Sequence, residues 1–208
     1  MTQLALPFVW PPDPSDDEFL LSDSNAAAAA HLREWRRWPV PATLLTGPRK
    51  SGRTLLARLF VKGGGRAIDD ADRQNETQLF HAWNAAQADG VPLLLVADAA
   101  PPEWRVKLPD LRSRLGATPV ARLGAPDDAL MQALFERAFL KRGLDARPDL
   151  VQWLVARVER SHVALGRAVD VLDTAALAER RRLSIPLARA ALAAAGMMGG
   201  NDGSSDAR

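Results

Sequence analysis

At 208 residues, 47% of them hydrophobic, the chain can build one compact α/β unit with a small appendage. It has no cysteine, which removes disulfides, thiolate nucleophiles and cysteine zinc sites together, and His31, His81 and His162 are too scattered for a histidine metal site. No apolar run approaches the ~20 residues of a membrane span and the N-terminus lacks a basic secretory start, so a cytoplasmic protein with no membrane partner is expected. The formal charge of +2 is unevenly spread: five of the 25 acidic residues and none of the 27 basic ones lie in the first 25 positions. The leader is acidic and the body basic. Most of the body's arginines fall along helical patterns, where a solvated face is the natural reading.

The segment Gln3-Leu4-Ala5-Leu6-Pro7-Phe8 cannot continue as a helix past Leu6, because Pro7 and the prolines at 11, 12 and 14 force extended backbone. It presents one amide and several apolar anchors, the needs of a peptide-binding groove. It resembles the Q-L-x-L-P-[LF] hexapeptide by which bacterial replication proteins dock on the DNA polymerase III sliding clamp (its β subunit). Gln3, Leu4, Leu6, Pro7 and Phe8 are then the docking residues. A leader folded back on the body by the same side chains is the other reading. Next, Asn25 suits a helix N-cap ahead of the alanine-rich stretch from Ala26 to Trp35.

Ala42 to Leu45 reads as a short buried strand, and a helix starts at Thr54. Between them stands Gly47-Pro48-Arg49-Lys50-Ser51-Gly52-Arg53-Thr54, which fits the phosphate-loop pattern G-x-x-x-x-G-K-[ST] except at Arg53, where the pattern has lysine. Such a loop turns backbone N–H groups and a helix N-terminus toward phosphates. Residues 47 to 54 and Leu55 are therefore candidates for binding ADP or ATP. Arginine keeps the charge but adds a planar fork that does not replace lysine in a tight cradle. Nucleotide binding is signalled and turnover is not.

Ala67-Ile68-Asp69-Asp70 reads as a strand ending in two carboxylates, or as an Asp-rich loop. Gly63-Gly64-Gly65 leaves no room between Thr54 and Asp69 for another strand and helix. Leu93 to Asp98 is an apolar run of the kind covered on both sheet faces. Leu108 to Leu115 reads as a helix with Pro109 in its first turn, and Val120 to Leu123 as a final strand. Helices are expected from Asp127 to Arg142, Pro148 to Val158, Ser161 to Arg182 and Pro186 to Ala195, with a disordered Gly/Ser/Asp tail from Gly196.

Leu108-Pro109-Asp110-Leu111-Arg112-Ser113-Arg114-Leu115 is similar to the L-P-D-L-x-S-R-[LF] box of DnaA-related proteins, and Phe19-Leu20 to Ser24-Asn25 to their F-[LV]-x-x-x-S-N segment. With the leader and phosphate loop, these identify the chain as resembling the Hda family of DnaA-related AAA+ regulators of replication initiation, from Gln3 to about Ala195. The resemblance implies a P-loop AAA+ parallel sheet flanked by helices, shortened by one edge strand, with a helical lid. The expected organisation is a leader over 1–18, a core over 19–125, a lid over 126–195 and a tail over 196–208.

It further implies roles for single residues. Leu20 and Asn25 would line the adenine pocket, and Thr54 and Asp69 would support magnesium with Asp70 as the second Walker B carboxylate. Asp98 would stand at sensor 1. Arg114 would be an arginine finger given to a nucleotide in a neighbouring subunit, or else a surface partner of Asp110 four residues away. Sensor 2 aligns near Val163, which cannot serve, and Arg167 one turn on is either a substitute or a lid surface arginine. The implied function is an adaptor that docks on the clamp and promotes ATP hydrolysis by DnaA, shutting initiation off, with little turnover of its own and with homo-oligomers possible. A nucleotide-free scaffold or an independent weak ATPase of the clamp-loader type are the alternatives. No helix-turn-helix pattern follows the lid, so direct sequence-specific DNA binding is not expected.

Overall fold

The computed structural model describes residues 19–179 and 182–198, which fall into two compact units that divide between Ala125 and Pro126. In the first, four strands form a fully parallel sheet of order β2-β3-β1-β4: β1 (Ala42–Thr46), β2 (Arg66–Ile68), β3 (Leu93–Val96) and β4 (Val120–Arg122). The two continuous apolar runs, β1 and β3, are buried at every position and take the centre, as strands covered on both faces must. The shorter, half-exposed β2 and β4 take the edges. Asp69 thus directly follows an edge strand of the sheet.

Period-two alternation sorts the central side chains onto two faces. Ala42, Leu44, Leu93 and Leu95 pack with Leu79, Trp83 and Ala86 of α3 (Glu76–Asp89) and Leu111 and Leu115 of α4 (Pro109–Gly116). Leu45, Leu94 and Val96 pack on the opposite side with Ala28 and Leu32 of α1 (Asp23–Arg33) and Leu56, Ala57 and Phe60 of α2 (Arg53–Lys62). Burying each of these leucines contributes on the order of 1.5–3 kcal/mol. Thr43, polar and fully buried in β1, donates to the Pro119 carbonyl at 3.0 Å, and its hydroxyl lies 2.8 Å from His31 Nε2. Burial holds the His31 pKa below its ordinary value, against the pull of Glu34.

Two features depart from the sequence reading. The N-cap of α1 is Ser22, three residues before Asn25. Asn25 sits inside the first turn, where Oδ1 accepts from the Ser22 N–H at 2.9 Å and Nδ2 donates to the Leu20 carbonyl at 2.8 Å. The second departure is α3, for which the sequence reading had no element. Its N-cap, Asn75, accepts from the N–H groups of Thr77 and Gln78, and Gly90 closes it with φ of 66°.

The second unit is all helical: α5 (Asp128–Lys141), α6 (Pro148–Val155), α7 (His162–Glu179) and α8 (Ile185–Ala194). Asp127 caps α5 by accepting from the Leu130 N–H at 2.8 Å. Met131, Phe135 and Phe139 of α5 meet Leu150 and Leu154 of α6, Val169 and Leu172 of α7 and Leu192 of α8 in one core. Met197 and Met198, which the sequence reading placed in the tail, pack on that core, and the Met197 N–H reaches the Leu192 carbonyl at 2.9 Å. Residues 199–208 and the leader over 1–18 lie outside the described residues.

Candidate functional site

The strand β1 leads through residues 47–52 straight into α2, whose first turn presents N–H groups with no intrahelical partner. The loop is tightly made. A Cβ on Gly47 would lie 2.8 Å from that of Leu123, and one on Gly52 (φ 89°) would lie 3.0 Å from the Phe19 ring. Lys50 takes the left-handed region at φ 61°, and the Ser51 N–H turns back to the Pro48 carbonyl at 3.2 Å. Pro48, Arg49 and Lys50 are exposed, whereas Ser51 is 6% exposed and its hydroxyl has no hydrogen-bond partner. A buried unpaired hydroxyl beside a helix N-terminus is the chemistry of a loop built for an anion. Leu55 is half-buried in the first turn of α2, and Leu20 and Phe19 lie on the segment that Asn25 holds.

The fold brings Thr54 and Asp69 together: the Thr54 hydroxyl donates to Asp69 Oδ2 at 2.7 Å. These are hard oxygen donors of the type magnesium takes beside nucleotide phosphates. Asp69 Oδ1 also accepts from the Asp70 N–H at 3.0 Å, and Asp70 itself is exposed with φ of 49°.

Arg53 does something else. Its side chain is 12% exposed and lies back along the sheet, where Nη1 donates to the Ala97 carbonyl and Nη2 to Asp98 Oδ1 at 2.7 Å. The other oxygen of Asp98 accepts from Arg73 Nη2 at 2.8 Å. The Arg53 hydrogen bond, helped by the charges of Arg53, Arg73 and Arg49, holds the Asp98 carboxyl below its ordinary pKa despite partial desolvation. Arg53, found where the phosphate-loop pattern has lysine, is thus paired with Asp98, the residue expected at sensor 1. Arg73 was not legible as part of this group, since nothing in its local pattern marks it.

Arg114 stands in α4 among a different set of neighbours. Its Cζ lies 4.4 Å from the Trp83 ring centroid and 5.0 Å from that of Phe80. It is not paired with Asp110, because the guanidinium is drawn to the aromatic faces of α3 instead. Among the described residues no carboxylate or carbonyl accepts from it. Phe80 and Trp83 were missed with their helix. In the lid, Val163 is exposed, and Arg167 Nη2 donates to the Ala195 carbonyl at 3.2 Å within the same unit.

Comparison with known proteins fits this arrangement. Residues 127–192 match the Hda lid domain. An uncharacterized protein of Haemophilus influenzae is 34% identical over 115 residues, 55% of this chain and 50% of its own length, so the chain spans about half of that relative. Domain III of the Thermotoga maritima replication initiation protein DnaA superposes with a TM-score of 0.70 at 15% identity, over 85% of this chain and 94% of that one. The Thermotoga maritima RuvB Holliday junction branch migration motor gives 0.60 at 17% identity, over 82% and 66%. A replication initiator DnaA bound to AMPPCP and single-stranded DNA gives 0.59 at 13%, over 78% and 66%. The chain thus shares the fold of DnaA domain III, a parallel sheet with helices on both faces, and over residues 127–192 it is similar to the Hda lid domain.

Proposed function

We propose that this protein is an adaptor that docks on the DNA polymerase III sliding clamp through Gln3 to Phe8 and promotes ATP hydrolysis by DnaA, acting as a negative regulator of replication initiation in the cytoplasm. The observation that carries this reading is the contrast between its two arginines. Arg53, at the position that would serve the chain's own nucleotide, is tied to Ala97 and Asp98. Arg114 stacks on two rings and donates to no oxygen among the described residues. A protein built this way is poor at its own hydrolysis and equipped to assist another's.

The chain's own loop is read as holding ADP or ATP for shape, with the Ser51 hydroxyl and the N–H groups at the start of α2 on the phosphates and Thr54 and Asp69 on magnesium. A bound nucleotide supplies charge that the exposed Arg49 and Lys50 neutralise. With Arg53 held by Asp98, no cation of α2 is placed to follow a transferring phosphate, and Asp98 is not available to orient water. Arg114 is assigned to the phosphoryl group of ATP on DnaA, where a guanidinium stabilises charge spread over the equatorial oxygens. The clamp concentrates the adaptor on DNA and adds no chemistry.

The test is hydrolysis of ATP by DnaA with DNA-loaded clamp and this protein. Replacing Gln3, Leu6 and Phe8 by alanine should abolish clamp binding and the clamp-dependent part of the rate, leaving the fold intact. Unchanged clamp affinity in a pull-down would remove the docking role from the leader.

A further inference from the structure

Positions 76, 80 and 83 of α3 are spaced i, i+4, i+7 and so share one face of the helix. All three touch the segment that carries Arg114, and they touch it at its two ends. Glu76 grips the entry to α4: its carboxylate accepts from the Lys107 N–H at 2.9 and 3.0 Å and from the Leu108 N–H at 2.6 Å. Leu108 is the N-cap of α4 and Pro109 follows in its first turn, so the helix brings no capping side chain of its own. A carboxylate from a neighbouring helix instead holds the N–H groups of the N-cap residue and the one before it, where the α4 dipole also favours negative charge. Arg112 ties the same entry from the inside, through Nε to the Val106 carbonyl at 2.9 Å and Nη2 to that of Lys107 at 3.1 Å.

At the far end, Phe80 and Trp83 lie under the Arg114 guanidinium. Trp83 is 5% exposed and shares a core with Leu111 and Leu115 of α4. Its Nε1 approaches the Thr118 hydroxyl at 3.4 Å, and that hydroxyl donates to the Arg114 carbonyl at 2.8 Å. The backbone of Arg114 and its side chain are therefore held by the same indole. An arginine fixed by ring faces keeps its five N–H donors for an incoming acceptor, whereas a carboxylate in the same place would consume them.

We infer that Glu76, Phe80 and Trp83 form a positioning stripe that fixes the register of α4 and aims Arg114 at a phosphoryl group on a docked partner, an inference that rests on the reading of Arg114 as the finger given to DnaA. None of the three touches the phosphate. They act through Arg114, by removing the rotamer freedom that a long surface side chain would otherwise lose only on docking.

The experiment uses the full chain with DNA-loaded clamp and ATP-bound DnaA, titrating the regulator to obtain both the maximal hydrolysis rate and the half-saturating concentration. Phe80→Leu keeps apolar bulk and removes the ring face, and Phe80→Trp restores a ring. Glu76→Gln tests the other end of the stripe without entering the core. Phe80→Leu should lower the maximal rate roughly ten- to a hundredfold, with half-saturation unchanged within about twofold and melting near wild type; Phe80→Trp should recover most of the rate. Glu76→Gln should act in the same sense and less strongly. A wild-type maximal rate for Phe80→Leu, in an assay where Arg114→Ala is inactive, overturns the stripe and leaves the finger standing. A shift in half-saturation alone overturns it as well, since the stripe would then serve docking. If Arg114→Ala itself hydrolyses like wild type, the finger reading fails and the stripe fails with it.

Discussion

Two arginines in one α/β unit are held in opposite ways. Arg53 is nearly enclosed and its fork is closed by a carbonyl and a carboxylate, one of which it shares with Arg73. Arg114 is half-buried and rests on two aromatic rings, with no anionic oxygen among the described residues to satisfy it. Ion pairing neutralises a guanidinium and fills its donor edge; stacking anchors it and leaves that edge available. The charge of Arg53, at the end of the loop between β1 and α2, is therefore taken up within the fold. Arg114 on α4 keeps its donor edge and borrows its order from α3.

The largest effect that can break this contrast is at Arg114. Arg114→Ala should reduce stimulation of DnaA hydrolysis by ~10³ to 10⁵, the range expected of a finger supplied in trans. Thermal stability should fall only by what the ring contacts contribute, about 0.5–1 kcal/mol, and clamp binding should stay near wild type. Arg114→Lys should rescue poorly, since an ammonium lacks the planar fork and stacks less well on Trp83. The assay is single-turnover ATP hydrolysis on clamp-loaded DnaA, and full activity of the alanine variant would reduce Arg114 to a packing residue.

Next in size is the core that carries Arg114. Leu111 is fully buried under α4, and Leu111→Ala should cost about 2–5 kcal/mol in urea or thermal unfolding. It should also lower stimulation by loosening α4 on α3, even at temperatures where the protein remains folded. A stability loss with normal stimulation would detach the finger's aim from this packing.

The sequence made the central sheet legible because β1 and β3 are uninterrupted apolar runs with no competing period. The short distance between Thr54 and Asp69 excluded a further strand and helix between them, and the pairing of those two residues was expected only from the family resemblance. What stayed hidden was α3. Its buried set is only Leu79, Trp83 and Ala86, a sparse stripe in a polar segment, and its real signals were the caps, Asn75 and Gly90. With α3 unseen, Arg114 had only Asp110 as a visible partner, at helical spacing. Local spacing also suggested Asn25 as a cap, when the residue three before it plays that part. The Arg53 to Asp98 contact crosses from α2 to the end of β3, and no local pattern announces a pair 45 residues apart.

The third prediction sharpens the Arg53 side of the contrast. The isolated protein should turn over ATP well below the order of 1 per second of an ordinary enzyme, and Arg53→Lys alone should not restore it, because Asp98 would still attract the cation in that position. Arg53→Lys with Asp98→Asn frees the ammonium and should raise ADP affinity above that of either single variant, read by calorimetry or by the ligand-induced shift in melting. Equal affinities in all three would mean that the pair does not restrain the loop.

The smallest effects should appear in the pH dependence of stability. The Asp98 pKa is lowered chiefly by the Arg53 hydrogen bond, and that of Glu76 chiefly by the backbone N–H groups of Lys107 and Leu108. A depressed folded pKa means that the folded state favours the charged form. The stability so gained is present above the carboxylate's ordinary pKa, 3.8 for Asp98 and 4.5 for Glu76, and is lost as pH falls through the lower folded values. Both groups are substantially solvated, so each contribution is modest. Near pH 7, Asp98→Asn and Glu76→Gln should each melt roughly 1–4 °C below wild type, Asp98→Asn by more because it leaves Arg53 half-paired in a nearly enclosed place. The differences should close as pH drops below about 4. For Glu76 the loss at neutral pH should be accompanied by reduced DnaA stimulation, and for Asp98 it should not, because only Glu76 lies on the path to Arg114. Melting curves and stimulation measured together at pH 7 separate the two carboxylates, and a loss of stimulation in Asp98→Asn equal to that in Glu76→Gln would show that the two arginine sites are coupled.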